Sequence, residues 1–171
     1  METLETHDFA YIKSSDKNTK IVSKDNSVKI NSSGDYSKIA LIGDSARIDL
    51  EGYSTKLALG GDYSKVNSFG YLTKISSIGD SVEIDTSDNS AKISSSGDYA
   101  KIESTGANSV ICCVGKRSVV KARKGSWITL AEWKENIPIC VKTEFVDGER
   151  IKEDVWYKLV DGEFVEENIN N

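Results

Sequence analysis

An all-β, parallel β-solenoid is the fold class this sequence predicts: two sheets, about 18 residues per coil, six coils, and a C-terminal antiparallel β-hairpin cap. Three observations carry that expectation. A nine-residue unit recurs twelve times between Asp16 and Arg123 without an insertion. Its sixth position is aliphatic in every copy, from Ile21 and Ile30 through Leu57 and Val66 to Ile111 and Val120. Its seventh position alternates in type, with Val22, Ala40, Ala58, Ser76, Ser94 and Cys112 in one set of copies and Asn31, Asp49, Asn67, Asp85, Glu103 and Lys121 in the other. Sorting by threes destroys that alternation, so two units make one coil.

Taken in order, residues 1–15 read as an N-terminal cap strand. Phe9, Tyr11 and Ile12 alternate with smaller or polar residues, and a repeat stack needs an atypical end to cover its first open coil. His7, the single histidine, stands in a terminal stretch and reads as a bystander.

The repeats occupy residues 16–123. Each unit starts on Gly, or on Asp at Asp16, Asp25 and Asp88, residue types that tolerate the positive φ of a tight corner. A side-chain period of two turns positions 4, 6 and 8 inward and positions 5 and 7 outward. One unit cannot bury its own apolar face, so copies must stack around a narrow continuous core.

On the sheet with small seventh residues, position 5 is Lys20, Lys38, Lys56, Lys74 and Lys92, then Val110. This stripe offers a surface to an anionic partner, an acidic protein or nucleic-acid phosphate. The plainer alternative is a row of solvated lysines that shields the sheet from aggregation. The opposite sheet mixes Lys29, Arg47, Lys65, Glu83 and Lys101 with acids and amides and reads as an ordinary solvated face.

Asp44, Asp62, Asp80 and Asp98 form a column along one corner. Stacked like charges repel, so hydrogen bonds to turn backbone are expected to hold them, a bound cation being the alternative. The calcium β-roll repeat places its Asp two residues before the aliphatic, whereas Ser37, Ala46, Thr55 and Val82 stand there in this chain. No metal or cofactor is expected.

Residues 124–171 read as a C-terminal cap and β-meander. Register is lost after Arg123, and Trp127, Ile128, Leu130 and Trp133 supply the bulk that a closing strand needs. Asp147-Gly148 and Asp161-Gly162 each join two strand-like runs, the usual mark of a hairpin, with Pro138 in the connection before them. The segment either plugs the last coil or offers an acidic, aromatic docking surface through Trp133, Trp156 and Tyr157.

The net charge of −5 belongs to that tail: residues 16–123 hold 15 Lys/Arg against 13 Asp/Glu, residues 124–171 hold 6 against 11. A near-neutral body argues against DNA mimicry. Cys112, Cys113 and Cys140 form no CxxC pair and read as reduced thiols. No secretory leader or membrane-length apolar run is seen, so a cytoplasmic protein without membrane contact is expected.

The run SSGDYAKI at 95–102, with GSWITLAEW and VKTEFVDGERIKEDVWYKLVDGEFVE after it, resembles nonapeptide-repeat proteins of phages, prophages and gut bacteria. The resemblance spans the repeats and the tail. It implies a mobile-element context and brings no activity or site residues with it.

An enzyme is not expected, because histidine beyond His7, a phosphate loop leading into a helix, and a metal-ligand cluster are all missing from the sequence. The leading expectation is a rigid binding protein, an inhibitor or adaptor acting on a host or phage protein. Nucleic-acid binding through the lysines is less favoured. A virion or surface assembly element, as a monomer or as an end-to-end or face-to-face homo-oligomer, is the structural alternative.

Overall fold

A computed structural model describes residues 9–169. His7 lies outside them. The strands are β1 (Tyr11–Ser14), β2 (Lys20–Ser23), β3 (Lys29–Ser32), β4 (Lys38–Leu41), β5 (Arg47–Leu50), β6 (Lys56–Leu59), β7 (Lys65–Ser68), β8 (Lys74–Ser77), β9 (Glu83–Thr86), β10 (Lys92–Ser95), β11 (Lys101–Ser104), β12 (Val110–Cys113) and β13 (Val119–Ala122). After the repeats come β14 (Trp127–Lys134), β15 (Ile137–Phe145), β16 (Trp156–Val160) and β17 (Glu163–Glu166).

Successive strands alternate between two sheets. One runs β1-β3-β5-β7-β9-β11-β13-β16-β17 and the other β15-β14-β12-β10-β8-β6-β4-β2. Parallel pairing through the repeats matches residues 18 apart, as in Ile39↔Leu57 and Ile48↔Val66. The fold is therefore the expected two-sheet parallel solenoid with antiparallel strands at its C-terminal end.

It is also longer than the six coils read from sequence. Tyr11–Ser14 pairs in full register with Lys29–Ser32, which puts Ile12 under Ile30 in the aliphatic column. At the far end Ile111 pairs with Ile128, 17 residues on, because the corner before β14 is one residue short. Register is re-established there, not lost. The solenoid thus makes about seven turns. Of the apolar side chains expected to cover the first coil, only Ile12 is buried; Phe9 and Tyr11 face solvent.

The core is the aliphatic column from both sheets, with Ile30, Ile48, Val66, Ile84, Ile102 and Val120 all fully buried. Each such side chain contributes roughly 1.5–3 kcal/mol on burial, and no single coil supplies enough of them to fold alone.

The corners correct a second reading. Positive φ falls on the third residue of each unit, from Asn18 to Arg117, at 54 to 60°, and not on the initial glycines. The N–H of that third residue donates to a carbonyl in the next coil, as Ser45 does to Asp62 at 2.8 Å and Tyr63 to Asp80 at 2.9 Å. Such bonds offset a conformation costing roughly 1 kcal/mol or more per residue, and they let Ser, Tyr and Leu adopt it.

The glycines answer a different need. A Cβ on Gly61 would lie 1.9 Å from the Gly43 carbonyl oxygen, and one on Gly97 1.9 Å from that of Gly79, so the column keeps coils in contact. Asp88 is the exception. It is buried, bonded to Ser68 Oγ through one carboxylate oxygen and to Thr86 Oγ1 through its N–H.

The C-terminal segment is two antiparallel extensions, one per sheet, where the sequence suggested a single meander. β14 and β15 form a hairpin around Glu135 and Asn136, and Pro138 lies inside the edge strand β15, opposite Trp133 and beside a register shift, where a missing donor is tolerated. β16 pairs antiparallel with β13 and turns through Asp161-Gly162 into β17.

Asp147-Gly148 makes no hairpin. The Asp147 carboxylate accepts the N–H groups of Glu149, Arg150 and Ile151 at 2.8, 2.9 and 3.1 Å. This folds the loop between the sheets so that Val146 and Ile151 bury their side chains against the core.

Candidate functional site: the lysine face

The second sheet carries the candidate site on its outer surface. Strand register stacks Lys20, Lys38, Lys56, Lys74 and Lys92 one above another, a coil apart. All five are exposed, and among the described residues none is in an ion pair. Adjacent ammonium groups one strand spacing apart, about 4.8 Å at their roots, raise the local potential and repel one another, which favours any anion laid across them.

Beside the lysines runs the floor: Val22, Ala40, Ala58, Ser76, Ser94 and Cys112. Because these side chains are small, the lysine stems border a shallow trough of about 720 Å³ from Lys20 to Cys112. Exposed Ile42 and Ile78 follow their strands on the other side.

The structure adds residues that sequence reasoning missed. Above Lys92 the same column continues as Val110, Trp127 and Phe145. The two rings touch, with centroids 5.1 Å apart, and Trp127 stays 49% exposed. The floor continues as Thr129 and Thr143, whose hydroxyls are 2.8 Å apart. The cationic stripe therefore ends in an apolar, aromatic step. The missing signal was the one-residue contraction before Trp127, which hid that Trp127 takes the position of the lysines.

On the corner leading into these strands, Tyr36 meets Tyr53 edge to face with centroids 5.5 Å apart, and Tyr53 stacks on Tyr71 with centroids 5.7 Å apart. Cys113 is buried, and burial pushes its thiol up to about 12, so it stays unreactive; Cys112, on the floor, is half-exposed.

The first sheet pairs part of its charge, while Arg47 is exposed and in no ion pair among the described residues and Lys29 and Lys101 lie over the Tyr11 and Trp156 rings. Lys65 holds Glu83 at 3.2 Å and Asp85 at 3.4 Å, Lys121 holds Glu103 at 2.8 Å, and Asn67 donates to Asp49 at 2.7 Å. Hydrogen bonding to Glu83 raises the Lys65 ammonium above its ordinary value.

The aspartate column forms a ladder through backbone. Asp44, Asp62, Asp80 and Asp98 each accept, on one carboxylate oxygen, the N–H of the residue one coil on, at 2.7–2.9 Å. Lys116 caps the column 3.8 Å from Asp98. Hydrogen bonds to backbone hold these acids, as expected, but they run between coils instead of within a turn. Among the described residues no group of three or more His, Cys, Asp or Glu is placed to hold a metal ion.

The three aromatic candidates of the tail separate. Trp133 donates its indole N–H to the Val114 carbonyl at 2.8 Å under Lys116. Trp156 lies on the first sheet between Lys101 and Lys121, each 5.1 Å from its ring centre. Tyr157 is 2% exposed, its hydroxyl accepting the Lys152 N–H at 2.9 Å, so this residue belongs to the plug and offers no docking surface.

The tail's acids are largely engaged as well. Lys142 reaches Glu163 at 2.6 Å, Lys152 reaches Glu166 at 2.8 Å, Arg150 pairs with Glu144 and Lys158 with Glu167. The Arg150 guanidinium holds the Glu144 carboxyl below its ordinary value. The Glu132 carboxylate pins the last hairpin, accepting the N–H groups of Asp161 and Gly162 at 2.9 and 2.8 Å.

Fold and face together define a class: a two-sheet parallel β-solenoid with one cationic face and one face of mixed, partly paired charge. Comparison with protein-family models, curated proteins and solved structures gives no match. No helix of the described residues is long and apolar enough to cross a membrane.

Proposed function

We propose that this chain is a non-enzymatic binding protein of a phage or other mobile element, which uses its lysine face to hold an acidic surface of a host protein in the host cytoplasm. The carrying observation is the uncompensated column from Lys20 to Lys92 beside a floor of small side chains. A solenoid sheet is rigid, so the column is pre-organised and binding loses little backbone entropy. Cations left unpaired beside an apolar floor favour an anionic partner both in encounter and in the complex.

The first sheet supports the reading by contrast. There Lys65 and Lys121 are paired with carboxylates one coil away, whereas the strands that carry Lys20 to Lys92 hold no carboxylate at all.

Affinity purification from the native host during phage growth, with mass spectrometry, tests the reading. Wild-type protein should retain a host protein that Lys38→Glu/Lys56→Glu/Lys74→Glu does not. Equal retention by both removes the face from consideration. Retention of duplex or single-stranded nucleic acid at low salt, lost steeply as salt rises, would identify nucleic acid as the ligand instead.

A further inference from the structure

We infer that the element of the partner seated in the trough is an acidic amphipathic α-helix, laid along the solenoid axis with an apolar end on Trp127 and Phe145. The inference rests on the reading of this face as a protein-binding surface, and spacing decides it. The five lysines rise at the strand repeat, so the column from Lys20 to Lys92 spans about 19 Å. A helix presents one face every turn at about 5.4 Å, and five such positions span about 22 Å, a mismatch that mobile lysine stems absorb. An extended strand presents one face every two residues, about 6.8 Å, and five positions would span about 27 Å, out of step after the second or third lysine.

The floor agrees with a helix. Ala40, Ala58, Ser76 and Ser94 carry the smallest side chains on this face, which lets a cylinder of large apolar side chains approach the sheet while carboxylates on its flank reach the ammonium groups.

The upper end fixes the direction of the chemistry. Val110, Trp127 and Phe145 replace the lysines in the last three steps, so the helix is acidic over its first part and uncharged over its last turns. A half-exposed aromatic pair beside a charged stripe has the composition of an interface anchor. From Lys20 to Phe145 the column makes seven steps, about 34 Å, which a helix of about 22 residues covers.

The probes are three. One is a 22-residue peptide with a leucine ridge, a glutamate flank over its first 16 residues and an uncharged apolar end. The second is a scrambled isomer of it, and the third is the oligonucleotide (dT)22. Fluorescence anisotropy gives affinities, and mass-resolved iodoacetamide labelling of Cys112 reports occupancy of the floor.

The helical peptide should bind at least tenfold more tightly than either control and shield Cys112. Trp127→Ala should weaken it about tenfold. Phe145→Ser, a milder change at the same step, should act in the same direction if Trp127→Ala lowers the melting temperature. Binding of the scrambled peptide or of (dT)22 within threefold of the helix overturns the inference. So does failure of the helical peptide to bind a protein whose partner capture still depends on Lys38, Lys56 and Lys74, an outcome that leaves the protein-binding reading standing. If capture does not depend on those lysines, the reading falls and the inference with it.

Discussion

The two outer faces of this solenoid share one backbone ladder and nearly the same fifth position, yet they dispose of charge in opposite ways. On the first sheet Lys65 and Lys121 find carboxylates one coil away, and part of the charge is neutralised from within. On the second sheet the neighbours of each lysine are other lysines and a column of Ala and Ser. The difference lies chiefly in the seventh position, which carries Asp, Asn and Glu on the first sheet, with Glu83 added at the fifth. A repeat protein can therefore keep its core and hydrogen bonds constant while the charge of an outer face changes through one or two columns.

The largest effects should come from breaking the ladder that both faces share. Gly61→Ala forces a Cβ against backbone in the coil before, and is expected to cost about 3 kcal/mol or more. Gly60→Ala meets only atoms at 3.6–3.9 Å and should change stability by less than about 0.5 kcal/mol. Ile48→Ala empties part of the core column and should cost about 2–5 kcal/mol. Urea denaturation of the three variants checks this order, and equal effects for the two glycines would show that coils are not in contact there.

Of intermediate size is the corner ladder between the faces. Asp62→Ala leaves the Asp80 N–H without its acceptor and should cost about 1 kcal/mol. Asp62→Asn keeps an acceptor oxygen and should cost less than half of that, since Asn26 and Asn89 already serve the same role for Asp44 and Ala107. Equal losses in thermal unfolding would deny the ladder.

Acid should separate the plug from the body. Asp147 lies below its ordinary value of 3.8, chiefly through the Glu149 N–H, and Glu144 below 4.5, chiefly through Arg150. A lowered carboxylate contributes stability that is present above the ordinary value and lost as pH falls through the folded one. Hydrogen exchange at about pH 3 should therefore show residues 146–151 opening before the amides around Ile48 and Ile84. Simultaneous opening would mean that the plug is not a separate unit.

The smallest effect distinguishes the faces themselves. Lys65→Glu breaks two exposed ion pairs and should cost about 0.5 kcal/mol, a value kept low by solvent screening. Lys56→Glu has no pair to break and relieves repulsion with Lys38 and Lys74, so stability should hold or rise slightly. A loss at Lys56 as large as that at Lys65 would mean its neighbours already hold it.

Much of this was legible in the sequence because an aliphatic column with a fixed period has one way to be buried. The lysine stripe followed from the same parity. What escaped has definite causes. Tyr11–Ser14 add a further strand to the ladder, but no glycine precedes it in the sequence to announce the unit. Glycine was read as a φ signal when it marks close stacking, while the positive φ sits on residues such as Tyr63 and Leu72, whose types carry no such mark. Asp147-Gly148 and Asp161-Gly162 look alike as dipeptides, and only the surroundings decide. The latter is flanked by two runs that pair, the former by Val146 and Ile151, which the open core takes up.

The most direct test sets matched charge reversals against each other in one capture experiment: Lys38→Glu/Lys56→Glu/Lys74→Glu on the lysine face, Lys29→Glu/Arg47→Glu/Lys65→Glu on the mixed one. Both change the net charge equally. The expected result is loss of the captured partner with the first variant and retention within about twofold with the second, a difference larger than rim charges produce. Equal loss with both would reduce the interaction to net charge, and loss only with the second would contradict the assignment of function to the lysine face.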